Sequence, residues 1–229
     1  MSHVLDIKKK IYYPESDGKP MGETDWHRRA IIRLIELLEY LFRGELVYVS
    51  GDLLVYYEEG NPKKFVVPDV FIVKGAQPHD RRIFKIWQER RVPNAVIEVT
   101  SRKTRQRDHT FKPDLYARLG VAEYFLYDPE LDYLEPALKG FRLINGEYQQ
   151  IDPNDDGSLT SEQFGVRLRL EGSELQLYHL QTGERLLTGV EQSRQAEQQA
   201  KQAEQQAKQA EQRAAALQAE LDELRARQS

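Results

Sequence analysis

The chain has 229 residues, 40% of them hydrophobic, which is enough for one sizeable domain and an appendage. It contains no cysteine, excluding disulfides, zinc–thiolate sites and thiol nucleophiles, and its net charge of −4 argues against a chain that is basic all over. The five histidines show no metal-ligand spacing, Met1 to Lys10 lacks the apolar core of a signal peptide, and no apolar run approaches the ~20 residues that span a bilayer, so no membrane contact and a cytoplasmic location are expected.

Residues 1–22 carry Pro14, Gly18, Pro20 and Gly22 and are expected to form an extended arm. Thr24 or Asp25 can cap a helix that runs to about Phe42, dense in Ile and Leu, with Gly44 ending it. Strands are expected at about 46–50, 52–57, 65–73 and 94–100, with a basic, partly helical connection at 79–91. A second helix runs from about 110 to 119, with Thr110 as N-cap, Pro113 in its first turn and Gly120 as its stop. The strand Tyr124-Phe125-Leu126-Tyr127 follows and closes at Asp128-Pro129. Residues 131–183 read as a β-meander with turns at Asn145-Gly146 and Asp156-Gly157. Asp152, Asn154, Asp156 and Gly157 imitate the start of a calcium loop, but position twelve is Gln163 and no helix precedes it, so it reads as a turn. The order of elements implies an α/β domain with a mixed sheet.

After Gly189 the composition changes. Residues 190–229 hold no Gly, Pro or aromatic residue, and small or apolar residues recur at spacings of four and three from Ala196 through Leu217, Leu221 and Leu224. This is the seam of a coiled coil, and a solvated single helix of high alanine propensity fits the same residues. One continuous helix standing away from the domain is expected, and pairing through it would make a homo-oligomer anchored at the leucine end.

Two carboxylates stand inside apolar, β-branched runs: Asp69 in Phe65–Val73 and Glu98 in Asn94–Thr100. Each alone could be the polar end of a strand. Burying either costs several kcal/mol, by order of magnitude, unless a cation or hydrogen bonds offset it, and two on neighbouring strands can share one cation. Arg81, Arg82, Lys85, Arg90 and Arg91 lie between the two runs, and Arg102, Lys103, Arg105, Arg107 and Lys112 follow the second. A basic rim around an acidic, metal-binding centre suits a phosphodiester, though long arginines also simply solvate loops. Glu23 and His27, one turn apart, could approach the same centre, and helix capping or exposure explains them equally.

The ordered string Pro68-Asp69, Glu98-Val99-Thr100-Ser101, Asp108, Lys112, Tyr116, Gly120-Val121-Ala122-Glu123-Tyr124 and Asp128-Pro129 resembles the Uma-type restriction-endonuclease family, abundant in cyanobacteria, within the PD-(D/E)XK nuclease-like superfamily. The resemblance covers about residues 20–185. It implies a restriction-endonuclease-like mixed β-sheet core (αβββαβ) with flanking helices over 23–185, a β-rich C-terminal extension, and a helical coiled-coil tail over 190–229. It further implies Mg²⁺ or Mn²⁺ held by Asp69, Glu98 and the Val99 carbonyl for hydrolysis of DNA. The superfamily pattern has lysine where Thr100 stands, and Lys112, on the following helix, takes that role by resemblance. An ordinary phosphate contact is the other reading of Lys112. Asp108 and Tyr116 enter as auxiliary residues, and Arg81, Arg82, Arg102, Lys103, Arg105 and Arg107 as nucleic-acid contacts. The departure at Thr100 keeps open a nuclease-derived module that binds nucleic acid or a partner without cutting, or a cargo-binding head on a coiled coil.

Overall fold

The computed structural model describes residues 11–16, 18, 24–101, 106, 108 and 110–228, excepting the side chains of 219–224 and 228. The chain divides into two units, Met1–Leu186 and Leu187–Ser229.

The first unit is mixed α/β. Helix α1 (Asp25–Leu41) starts where the Thr24 hydroxyl accepts the His27 N–H at 3.3 Å, as its capping sequence predicts. A six-stranded sheet follows, in spatial order β1 (Val47–Ser50), β4 (Val70–Lys74), β6 (Ala95–Val99), β7 (Glu123–Tyr127), β8 (Leu138–Ile144) and β9 (Glu147–Gln150). Within this sheet the β6–β7 pair is parallel and the others antiparallel, and helix α3 (Phe111–Leu119) provides the crossover that a parallel pair requires. With α1, the elements α1, β1, β4, β6, α3, β7 run in the order αβββαβ.

The expected single strand at 65–73 is two. Residues Phe65–Val66 (β3) pair with β2 (Val55–Tyr56) in a small sheet completed by β5 (Phe84–Lys85), while β4 joins the large one. The break falls at Val67-Pro68-Asp69, because Pro68 has no N–H to give a ladder and restricts the residue before it. Asp69 therefore stands just before β4 rather than inside a strand. Likewise only Val55–Tyr56 of the expected 52–57 run is strand, and the 79–91 connection contains a single helical turn, α2 (Ile86–Glu89).

The large sheet buries both faces. Val70, Ile72, Ala95, Ile97, Val99, Phe125 and Tyr127 pack toward α1 and toward the meander β10 (Leu159–Ser161), β11 (Val166–Glu171) and β12 (Glu174–His179). Phe71, Val73, Val96, Tyr124 and Leu126 pack toward Leu115 and Tyr116 of α3. Strand alternation thus assigns Asp69 and Glu98 to the α3 face and Glu123 to the other. The β8–β9 hairpin turns at Asn145 and Gly146, both at positive φ (53° and 88°), as an Asn-Gly pair predicts. The Asp156 carboxylate accepts from the Ser158 N–H and hydroxyl, closing the calcium-loop imitation as a turn.

The second unit contains helix α4 (Gly189–Gln228), 40 residues without interruption, ~60 Å long at 1.5 Å per residue. Leu217 is exposed, and the side chains of Leu221 and Leu224 lie outside the described residues. No described helix is long and apolar enough to cross a membrane.

Candidate active site

Asp69 is brought to its position by a close approach of backbones. A Cβ on Gly51 would lie 2.1 Å from the Asp69 carbonyl oxygen, so only glycine lets the β1–β2 connection pack there. Its carboxylate then accepts the Val99 N–H at 2.7 Å, and its own N–H donates to Glu98 Oε2 at 3.4 Å. Each carboxylate thus reaches the backbone of the other's segment. The two converge on one sheet face.

Glu98 is fully buried in β6. Its Oε2 lies 2.6 Å from Lys112 Nζ, and its Oε1 accepts the Tyr116 hydroxyl at 2.6 Å. Lys112 and Tyr116 project together because residues four apart share a helix face. Asp108, four residues before Lys112, continues that ridge: its Oδ1 lies 2.9 Å from Nζ, and its carbonyl accepts the Tyr124 hydroxyl at 2.7 Å. Thr110 stands at the N-cap position of α3, but its side chain makes no capping hydrogen bond. Its hydroxyl instead donates back to the Gln106 carbonyl at 2.7 Å. From the opposite side of Asp69, His27 Nε2 approaches Oδ2 to 3.7 Å.

Two carboxylates, Glu98 and Asp108, contact one ammonium and Asp69 adds its charge to theirs; together they hold the Lys112 pKa well above an ordinary lysine despite burial. Burial pushes the Asp69 pKa up, but Lys112, His27 and Glu98 more than offset this and bring it below the ordinary aspartate value. Glu98 goes the other way. Burial raises its pKa well above the carboxylate range, opposed by Lys112 and reinforced by Asp69 and Asp108. Burial and the Glu98 charge likewise raise Tyr116, which keeps it a hydrogen-bond donor. Among the described residues the site is short of positive charge, with Lys112 and His27 facing Asp69, Glu98 and Asp108.

That shortage suits a hard divalent cation, which takes carboxylate oxygens. Asp69 and Glu98 offer them, with His27 at the edge. Among the described residues, however, no three His, Asp or Glu side chains converge on one metal position. Lys112 stands between Glu98 and Asp108 instead.

Of the expected site residues, Asp69, Glu98, Val99 (through its N–H), Asp108, Lys112, Tyr116 and His27 come together. Thr100 is buried at the end of β6, its N–H on the Tyr127 carbonyl and its hydroxyl without a hydrogen bond among the described residues. Arg81 is largely committed elsewhere: its guanidinium donates to both Glu89 oxygens at 2.8 and 3.2 Å and to the Gln77 and His79 carbonyls at 3.0 Å each, four of its five donors, and lies 4.1 Å above the Tyr48 ring. Arg82 is exposed and pairs with Glu15. Glu23, Arg102, Lys103, Arg105 and Arg107 lie outside the described residues. Gly51 and the Tyr124 hydroxyl were missed as supports; a glycine between two strand-like runs was the available signal for the first.

The fold and site define a mixed α/β protein with a buried aspartate–glutamate–lysine centre on one face of a β-sheet, at its interior strand β6. The family profile described as "Putative restriction endonuclease" matches residues 7–177, about three quarters of the chain, and the chain belongs to this family, Uma2. No curated protein matches it. A solved structure described as "a putative nuclease belonging to DUF820 from Anabaena variabilis ATCC 29413" is similar at 17% identity and a TM-score of 0.47, over 64% of this chain and 76% of that one.

Proposed function

We propose that the chain is a metal-dependent endonuclease of the PD-(D/E)XK type that hydrolyses DNA. The observation that carries this is the convergence of Asp69 and Glu98 on one sheet face, in a buried centre where Glu98 and Asp108 share the Lys112 ammonium. The element order αβββαβ supports a restriction-endonuclease-like core. Asp69, Glu98 and the Val99 carbonyl would hold Mg²⁺ or Mn²⁺. When bound, the metal lowers the pKa of a water and neutralises charge on the scissile phosphate.

The chain's own residues do the rest. The Val99 N–H fixes one Asp69 oxygen, and Tyr116 fixes one Glu98 oxygen, so both carboxylates are oriented before any substrate arrives. Lys112 carries an ammonium within reach of a phosphate oxygen or an attacking water beside Glu98, where Thr100 leaves the superfamily's lysine position without charge. Exposed Arg82, with Arg102, Lys103, Arg105 and Arg107, would hold the DNA backbone. The helical tail would join copies into a homo-oligomer.

Supercoiled plasmid incubated with the protein and Mg²⁺ or Mn²⁺ tests the reading, beside Asp69→Ala. Nicked or linear product from the wild type alone is expected. Metal-dependent DNA binding without product would favour the non-cutting module. Sedimentation of the full chain and of one ending at Gly189 tests the tail: the same oligomeric state in both rules out pairing through α4.

A further inference from the structure

Lys112 is shared by two buried carboxylates that differ in their other partners. On one side its Nζ lies 2.6 Å from Glu98 Oε2, an oxygen that also receives the Asp69 N–H. On the other it lies 2.9 Å from Asp108 Oδ1. Asp108 is fully buried, neither of its carboxylate oxygens has a hydrogen bond among the described residues, the 2.9 Å approach of Nζ to Oδ1 being an ion pair, and the buried Thr100 hydroxyl has none either. An ammonium has three donors. Asp108 therefore carries acceptor capacity that the resting arrangement leaves unused, one helical turn from Lys112 and on the same ridge.

We infer that Asp108 is a positioning residue, a second seat that takes the Lys112 ammonium from Glu98 when a divalent cation enters between Glu98 and Asp69. The inference rests on the proposed metal site. A cation beside Glu98 and the present Lys112 position are mutually repulsive, so one must yield. A buried ammonium driven off Glu98 without another partner would be strongly unfavourable, and its stem, held in the first turn of α3, cannot carry it to bulk water without exposing the core. Asp108 removes that conflict with a side-chain rotation alone. Its backbone is held for this by the Tyr124 hydroxyl at 2.7 Å. Lys112 thus holds the carboxylates together without metal and remains beside the reacting centre with it.

Calorimetric titration with Mn²⁺ tests this on the full chain. Asp108→Asn should weaken Mn²⁺ binding about tenfold or more, while Asp114→Asn, exposed on the same helix, leaves it unchanged. The loss from Asp108→Asn should be larger when Lys112 is present than in a Lys112→Met background, because there is then nothing to hand over. An equal loss in both backgrounds makes Asp108 act on the cation by its charge alone and overturns the handover. Unchanged affinity in Asp108→Asn overturns it as well. Asp69→Asn separates the two readings: if it binds Mn²⁺ as the wild type does, the metal site itself is wrong, whereas loss there with none in Asp108→Asn sinks only the handover. Should Lys112→Met not fold, a crystal structure of the wild type with Mn²⁺ decides, with Nζ expected on Asp108 and more than about 3.5 Å from Glu98. Nζ still on Glu98 in that structure refutes the proposal.

Discussion

Glu98 and Glu123 lie on neighbouring parallel strands, both buried, on opposite faces of one sheet. Glu123 receives the Arg142 guanidinium at 3.1 Å, the Ser161 hydroxyl, and the N–H groups of Glu162 and Gln163 at 3.0 and 3.1 Å. One cation and three neutral donors serve one carboxylate, and the result ties β7 to β8 and to the meander. Glu98 shares a single ammonium with Asp108, and Asp69 adds its charge to theirs. Net charge separates the two centres, since burial is the same in both. A satisfied carboxylate holds a fold; three facing one ammonium can accept a further cation.

The largest expected difference comes from removing each cation. Lys112→Met leaves three buried carboxylates with no ammonium and should cost about 3–5 kcal/mol at neutral pH. For a unit of this size that is a fall in Tm of roughly 6–20 °C by scanning calorimetry, recovered in part by Mg²⁺ or Mn²⁺. Arg142→Met should cost less, about 1–3 kcal/mol, because Glu123 keeps its three neutral donors. Metal should not restore it. Equal rescue of both variants would erase the distinction between the centres.

Some of this contrast was legible in the residues. Asp69 and Glu98 stood out because each interrupts an apolar run, and Lys112 only through the family resemblance, which puts a lysine on the helix after the Glu98 strand. The split at Pro68 was written in the sequence but read through, since the residues on both sides are strand formers. Arg81 illustrates what local charge counts cannot see: Glu89 returns to it across β5 and α2, a fact of tertiary path rather than of composition. Glu123 entered only as one letter of Gly120-Val121-Ala122-Glu123-Tyr124. Its partners come from residues 142 and 161–163, brought together by the meander, so nothing near it in sequence announces a structural node.

A smaller effect lies in pH. The folded pKa of Glu98 is raised, so its protonated form stabilises the fold. That contribution is complete below the unfolded value of about 4.3 and is lost as pH rises through the raised folded value. Asp69 has the opposite sign, its contribution being present above about 3.9 and lost as pH falls through its lowered folded value. Between these, in weak acid and without divalent cation, Glu98 governs, and Tm should fall as pH rises toward neutrality. Glu98→Gln should flatten that slope, whatever its effect on Tm itself.

The finest test compares the two hydroxyl donors. Tyr116→Phe removes the donor to Glu98 Oε1, and Ser161→Ala removes one donor to Glu123 together with the acceptor of the Phe164 N–H. Each should cost about 1–2 kcal/mol, the ordinary worth of a hydrogen bond to a charged group or of a donor left buried. Their size cannot tell the centres apart, but their consequences can. Without Tyr116 the Glu98 anion loses a partner that its protonated form needs less, so the metal-free fall in Tm between mildly acidic and neutral pH should steepen in Tyr116→Phe. In Ser161→Ala, Glu123 keeps Arg142 and two N–H donors, and the Tm curve should shift down without changing slope. Parallel curves for both variants would mean that Glu98 is as well served as Glu123, and the charge shortage that marks the candidate site would be lost with it.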